Sequence, residues 1–589
     1  MMRISRRELL CGTAMSAAGT ALTGMFATGD TTYPEPTTIS TSERQQEATV
    51  SSKHPFEYVI GIVGNPSSPE IEWSDEQLSR IKELGVNMLQ LSIAWGGKPA
   101  NEVINLEDLD AEQRAKFAFR IEQAKKHGFR TLAHFGVPRM LNFAPVRPAC
   151  ILEDSVRKHY ADLLTDFLRS FPDVHDILIY TYDQQAWICS EYGPCPRCSG
   201  LPLHDRLPGF MNHLKDTMQR VQPGSRLWWK PWELTKGQTQ NIVERMDPEH
   251  FGLMLNPSTS NEVYPFNDRS FKSDLGVKRL VRMAADRNIP VVGEYDHTLY
   301  KGLYQIADYF PRIVHEQLQA WAEMEGVVGI KEYYGFAPSQ FSVNAAMLKA
   351  CMQSFDAPLD QLLAEVAAPY GEKAAPIMIA AWETVAQGAE AFPWDTTYLI
   401  GPMGLERGND GSHGWEPVTI PNSAWDTPIW QCNRRGNFML TQDHKAHPWL
   451  FEDAGLRLED SAALHFKAAR LFDEAIAAGS PKADDIQMQR DFVWNTGRAL
   501  RGTSLHFLET LTAQSARMVQ GDASKFGRVA ALLEDLLVRD VDNQGGAAPV
   551  AEKLAAFGAD PKAWLTANLN PRTYESICTV DWSKWVPTA

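Results

Sequence analysis

An eight-stranded (β/α)8 barrel followed by a mainly helical C-terminal part is the fold this sequence predicts, and three observations predict it. Eight short β-rich apolar runs alternate with segments of helical spacing between residues 55 and 340, the alternation expected of strands followed by crossover helices. That span fits the usual barrel size of about 250 residues, which favours a closed barrel over a doubly wound open sheet. Four carboxylates, Asp183, Glu233, Glu294 and Glu332, stand at or just past the ends of such runs, where a barrel gathers side chains from several strands into one mouth.

The strands are expected over 58–64, 87–95, 129–137, 176–182, 226–232, 251–255, 290–295 and 327–334. The helices between them carry their own punctuation. Ser74, followed by Asp75 and Glu76, opens the first and Gly85 closes it, an N-cap, an acidic first turn and a C-terminal glycine. Asp110 opens the second and Gly128 ends it, with Phe117, Ile121 and Ala124 spaced to face a sheet. After Tyr334 the strand signal stops. Helical patterns follow at 344–354, 359–368, 372–391, 459–478, 487–513 and 525–538. Between them lies an irregular stretch, 392–449, dense in Gly, Pro and Trp; such a length suits either a cover over a site or a connection packed by its aromatics.

The domain organisation expected is therefore a signal at 1–27, a linker at 28–54, the barrel at 55–340 and helices at 341–589. Ser5-Arg6-Arg7-Glu8-Leu9-Leu10, then a small and apolar stretch to Ala27, reads as a twin-arginine export signal. The linker is rich in Thr, Ser, Pro and Gln, a composition that does not build a core. No other segment approaches the roughly 20 apolar residues of a membrane span, so a periplasmic or secreted protein is expected. The net charge of -16 argues against a nucleic-acid or anionic-membrane partner. Nothing in the sequence sets the oligomeric state.

The strand ends mix carboxylates with aromatics: Tyr182, Asp183 and Trp187 after the fourth, Trp229, Lys230, Trp232 and Glu233 at the fifth, Glu294, Tyr295 and His297 at the seventh, and Lys331, Glu332 and Tyr333 at the eighth. Sugar rings stack on aromatic faces, and breaking a glycosidic bond takes two carboxyl groups, one as acid and one as base or nucleophile. The pattern implies a hydrolase acting on a poly- or oligosaccharide without a required cofactor. The catalytic candidates are Asp183 or Glu191 as acid and Glu294 as base or nucleophile, with Glu233 and Glu332 supporting or substituting. His134, Arg139, Lys230, His297, Lys331 and Arg269 lie near strand ends and lean the substrate towards acidic sugars, uronic or sulfated. The alternatives are a barrel that binds glycans without cleaving them, or an exported metalloprotein.

The stretch Leu255-Asn256-Pro257, Pro265-Phe266-Asn267-Asp268-Arg269, Gly293-Glu294-Tyr295 and Gly326-Val327-Val328-Gly329 resembles the α-glucuronidases of glycoside hydrolase family 67. The resemblance implies that Glu294 carries the base function and that Ser190-Glu191, followed by Tyr192-Gly193-Pro194, corresponds to the acid element. The family's strand-6 Asp has no counterpart, since Glu262 is the only carboxylate in 256–262; Asn256 stands at the strand end. The chain also resembles bacterial barrels of the same hydrolase-like group in placing a Trp and clustered cysteines after an Asp at strand 4, here Asp183, Trp187, Cys189, Cys195 and Cys198.

Those cysteines admit several chemistries. Cys189-x5-Cys195-x2-Cys198 puts three thiols in one loop, and Cys150 or His204 would complete a tetrahedral structural zinc site. Disulfides in an oxidising compartment or buried free thiols are the other readings.

Overall fold

The computed structural model describes residues 54–63, 73–91, 109–138, 149–181, 188–189, 191, 195–231, 234, 236–255, 275–295, 309–332, 343–392, 405–407, 415–417, 448–518, 527–539 and 547–568. The signal at 1–27, the linker up to residue 53 and most of 392–449 lie outside these. Residues 53–589 form one compact unit.

Strands β1 (Tyr58–Ile62), β2 (Met88–Leu91), β3 (Arg130–Gly136), β4 (Asp176–Tyr180), β5 (Leu227–Lys230), β6 (Phe251–Leu255), β7 (Val291–Tyr295) and β8 (Val327–Glu332) close into a parallel barrel, β8 pairing back onto β1. Each falls within a segment the sequence marks as a strand. Helices α1 (Asp75–Glu83), α2 (Ala111–Lys126), α3 (Asp154–Ser170), α4 (Leu203–Val221), α5 (Lys236–Val243), α6 (Leu275–Asp286), α7 (Pro311–Ala322) and α8 (Val343–Gln353) follow the strands in turn. Local chemistry sets their ends. Ser74 accepts a hydrogen bond from the Gln77 amide at 3.2 Å, and Gly85 follows α1 with φ +90, the left-handed turn that glycine tolerates.

Strand residues alternate between two faces, and two cores result. Outward residues such as Phe135, Ile179, Trp229, Leu253 and Tyr295 join the helices in one large apolar layer. Inward residues Tyr58, Ile60, Met88, Leu132, Leu178, Trp228, Met254 and Val292 fill the barrel. The Trp228 ring lies so close to Gly252 that a Cβ there would sit 2.4 Å from it; only glycine leaves room for the indole across the interior.

The remaining helices extend the outer core and do not enclose a wholly separate one. The helices α9 (Leu359–Ala367), α10 (Ala375–Ala391), α11 (Pro448–Ala477) and α12 (Ala483–Met518) contribute Leu362, Trp382, Phe472 and Val493 to the layer that covers the barrel. Arg312 on α7 pairs with Glu383 at 2.6 Å and Glu390 at 2.7 Å on α10, and Trp382 donates to Gln489 at 2.9 Å. A smaller cluster, including Leu508, Val529, Leu533, Val550 and Phe557, holds α13 (Gly527–Arg539) and α14 (Ala547–Ala559) against the end of α12. The chain ends its described part with α15 (Pro561–Asn568), capped by Asp560. No described helix is long and apolar enough to cross a membrane.

Candidate active site

Two residues beyond the apolar filling, the barrel interior turns polar. Met88 gives way to Gln90, Leu132 to His134, Leu178 to Tyr180, Trp228 to Lys230 and Val292 to Glu294. Each step keeps strand parity, so each polar side chain is set inward one layer nearer the C-terminal mouth. On β6 the same step leads from Met254 to Asn256, which lies outside the described residues.

Glu294 occupies the centre of this layer. Its Oε1 accepts from Lys331 Nζ at 2.7 Å, and its Oε2 from Lys230 Nζ. All three side chains are within 1% of complete burial. Glu294 reaches Lys331 because of an irregularity in the sheet: Val291 pairs with Val327, but Val292 pairs with Gly329, so one extra residue is accommodated on β8. Without that bulge Glu294 would lie beside Ile330, an outward residue. A one-residue bulge of this kind re-aims side chains.

His134 lies in the same layer. Its Nδ1 is 3.2 Å from Gln90 Nε2 and its ring is 4.0 Å from the Tyr180 ring. Burial, then the charges of Lys331 and Lys230, push its pKa well below the usual imidazole value, so the imidazole is neutral at physiological pH. Lys230 also lies over the Tyr180 ring at 5.9 Å. The described layer thus holds two ammonium groups, one carboxylate, a neutral imidazole, an amide and a phenol, all buried. Charge-assisted hydrogen bonds there fix the carboxylate's position.

The other expected site residues divide into four groups. Trp229 and Tyr295 are each at most 2% exposed and pack in the outer core; parity turns them away from the interior, and their placement is that of packing residues and not of sugar-stacking ones. Glu332 is buried and has the parity opposite to Lys331, so it does not join Glu294 inside the barrel. Glu191 lies beyond β4 and is held by Arg206 at 3.1 Å, in the cysteine loop. Arg139, Tyr182, Asp183, Trp187, Trp232, Glu233, Asn256, His297 and Tyr333, with Arg269 and Glu262, lie outside the described residues.

Gln90 and Tyr180 belong to the polar layer although the sequence reading did not single them out; inward parity two residues after Met88 and Leu178 was the available signal. Asp176 was missed too, but at the opposite end of β4. It accepts from Trp228 Nε1 and from the Arg226 amide, both at 2.9 Å, and a charged group at the N-terminal face of a barrel belongs to its stability.

The cysteine loop forms a second constellation. The sulfurs of Cys150, Cys189, Cys195 and Cys198 all lie within 4.8 Å of one another. Cys150, and not His204, completes the group; His204 lies 3.7 Å from Asp205. Burial pushes the Cys198 thiol up to about 12. At Cys195 burial acts in the same direction, but the amides of Arg197 and Cys198 and the thiols of Cys189 and Cys150 outweigh it and bring the value down to about 7.

No protein-family model and no curated protein matches the sequence. Solved structures do resemble it. A GH138 enzyme targeting pectin rhamnogalacturonan II aligns at a TM-score of 0.48 and 11% identity over 83% of this chain and 62% of that one. An O-GlcNAc hydrolase mutant from Thermobaculum terrenum aligns at 0.38 and 12% identity, covering 90% and 97% of the two chains. CpGH84B aligns at 0.37 and 12%, covering 82% and 74%. The present chain spans less than two thirds of the first of these.

Proposed function

We propose that the protein is an exported glycoside hydrolase whose barrel mouth takes a poly- or oligosaccharide, with Glu294 as base or nucleophile. The observation that carries this reading is the abrupt change from an apolar to a polar layer inside the barrel, centred on a buried carboxylate at the C-terminal end of β7. A barrel filled only for stability has no need of two desolvated ammonium groups around a carboxylate, since apolar residues of similar volume serve as well or better. In the proposed reaction Lys230 and Lys331 position Glu294 against the anomeric carbon or its attacking water. A second carboxyl from the strand ends, Asp183 or Glu233, protonates the leaving oxygen.

Lys230 and Lys331 among the described residues support a substrate bearing carboxylate or sulfate, in keeping with the α-glucuronidase resemblance at Gly293-Glu294-Tyr295. Export rests on Ser5-Arg6-Arg7 and the apolar stretch after it; replacing Arg6 and Arg7 by Lys is expected to abolish translocation, and normal export of that variant would refute the signal.

The test is a screen of purified protein against aryl glycosides and acidic and neutral polysaccharides, with product analysis, alongside Glu294→Gln. New reducing ends from the wild type, lost in the variant with glycan binding retained, support the reading. Glycan binding without cleavage by the wild type would make the barrel a binding module instead.

A further inference from the structure

We infer that Cys150, Cys189, Cys195 and Cys198 are the four ligands of a structural zinc ion that staples the loop between β4 and α4 to the segment before α3. The spacing of the sulfurs carries the argument. Four sulfurs at about 2.3 Å from one zinc, in a tetrahedron, are about 3.8 Å from each other. Here Cys150 Sγ is 3.6 Å from Cys198 Sγ and 3.8 Å from Cys195 Sγ. One sulfur therefore has two equivalent neighbours, whereas a disulfide needs a single partner at about 2.05 Å. Two disulfides would split the group into pairs; one ion at its centre accounts for all four.

The backbone around the cluster is built for the same purpose. Ala149 and Ile188 form a parallel bridge, and the Cys189 amide donates to the Ala149 carbonyl at 3.3 Å, which sets Cys150 beside Cys189. Cys195 and Cys198 stand on one tight turn, in which the Ser199 amide donates to the Cys195 carbonyl at 2.9 Å. The Cys198 amide also donates to the Cys195 carbonyl, at 3.2 Å. Gly200 leaves the turn at φ +76, where a side chain would be strained. Two ligands separated by two residues on such a turn, with the others from separate segments, is a common zinc arrangement.

Arg206, on the first turn of α4, is 1% exposed. It donates to the Cys189 carbonyl at 2.7 Å, to the Leu201 carbonyl at 2.9 Å and to Glu191 at 3.1 Å. The guanidinium thus spans the loop from its cysteine end to its helix end, and Glu191 orients it. An all-thiolate shell leaves no open coordination position, so the ion holds structure and performs no chemistry. What it fixes is Cys189 and the turn at 195–200 against Cys150.

The test uses the full chain purified without chelator. Elemental analysis is expected to find one zinc per chain in the wild type and in Cys351→Ser, whose buried cysteine stands outside the cluster, and none in Cys198→Ser. Exchange of the wild type into cobalt should give the intense visible absorption of tetrahedral thiolate coordination, which keeps the test independent of whether Cys198→Ser folds. Arg206→Met keeps all four ligands and should release zinc to a chelator more readily, by roughly ten- to hundredfold in affinity. A metal-free wild type would overturn the inference, whether its intact mass is lower by the hydrogens of two disulfides or its thiols titrate freely.

Discussion

The lower and upper layers of the barrel interior are made by the same strands, two residues apart, and obey opposite rules. In the lower layer, Met88, Leu132, Leu178, Trp228, Met254 and Val292 are fully buried and apolar, and their worth is area removed from water and close packing. In the upper layer, Lys230, Glu294 and Lys331 are equally buried but ionic, and desolvation makes such a group expensive unless every charge is matched. Stability is built below; above, some of it is given up to hold a buried ionic triad.

The largest effect expected from breaking this contrast is in activity. Glu294→Gln should lower turnover per folded molecule by at least about a hundredfold, as loss of a base or nucleophile does; steady-state kinetics on the substrate found by screening measures it. Glu294→Leu leaves two ammonium groups buried without a counterion and should cost about 3–5 kcal/mol in denaturant unfolding. The triple change Lys230→Met, Glu294→Leu, Lys331→Met should restore stability to the wild-type level or above it by about 1–4 kcal/mol while activity stays absent. If the triple variant is instead much less stable, the triad is a fold determinant and its catalytic reading weakens.

A substitution in the lower layer should do the reverse. Leu132→Ala is expected to cost about 2–5 kcal/mol and leave turnover per folded molecule close to normal. Acidification probes buried imidazoles in both regions of the chain. His465 on α11 is buried among the helices, its pKa lowered by desolvation to about 4 against a small opposing effect of its bond to the Ser461 carbonyl; His134 is lowered too. An unfolded histidine takes up a proton below about 6.5 while the folded one does not. The His465 contribution to stability should therefore be lost as pH drops from about 6.5 to about 4, by up to about 3 kcal/mol, and the loss from His134 runs in the same direction. His465→Phe should flatten this part of the curve. The smallest effect concerns the lower layer's polar anchor: Trp228→Phe removes the bond to Asp176 and should cost about 1–3 kcal/mol.

Much of the fold was legible because its signals are local. The eight strands fall inside the predicted runs, since a buried parallel strand needs a short β-rich apolar stretch whatever surrounds it. Ser74, Gly85 and Gly128 punctuate helices through their own backbone chemistry. Where context matters, reading along the chain was less complete. Helix α11 begins at Pro448, eleven residues before the predicted start at 459, because a proline in the first turn suits a helix that packing then sustains. Helices α14 and α15 were not read, although Asp560-Pro561 before α15 is a cap followed by a first-turn proline.

The site divides in the same way. Glu294, Lys230, Lys331 and His134 were recognisable at strand ends, and the three clustered cysteines by their spacing alone. Trp229 and Tyr295 look identical to site residues in the sequence, but a strand gives alternate residues to opposite faces, and only the closed barrel decides which face is the interior. Only the β8 bulge decided that Lys331 rather than Ile330 meets Glu294, since register is a property of two strands together. Likewise Cys150 joined its three distant partners through a bridge between segments 39 residues apart, Ala149 to Ile188. The sequence by itself determined the eight strands and the punctuation of the helices after them, because those follow from neighbouring residues. Tertiary structure alone decided which side chains share a space, because closure, register and parity couple residues that the chain keeps far apart.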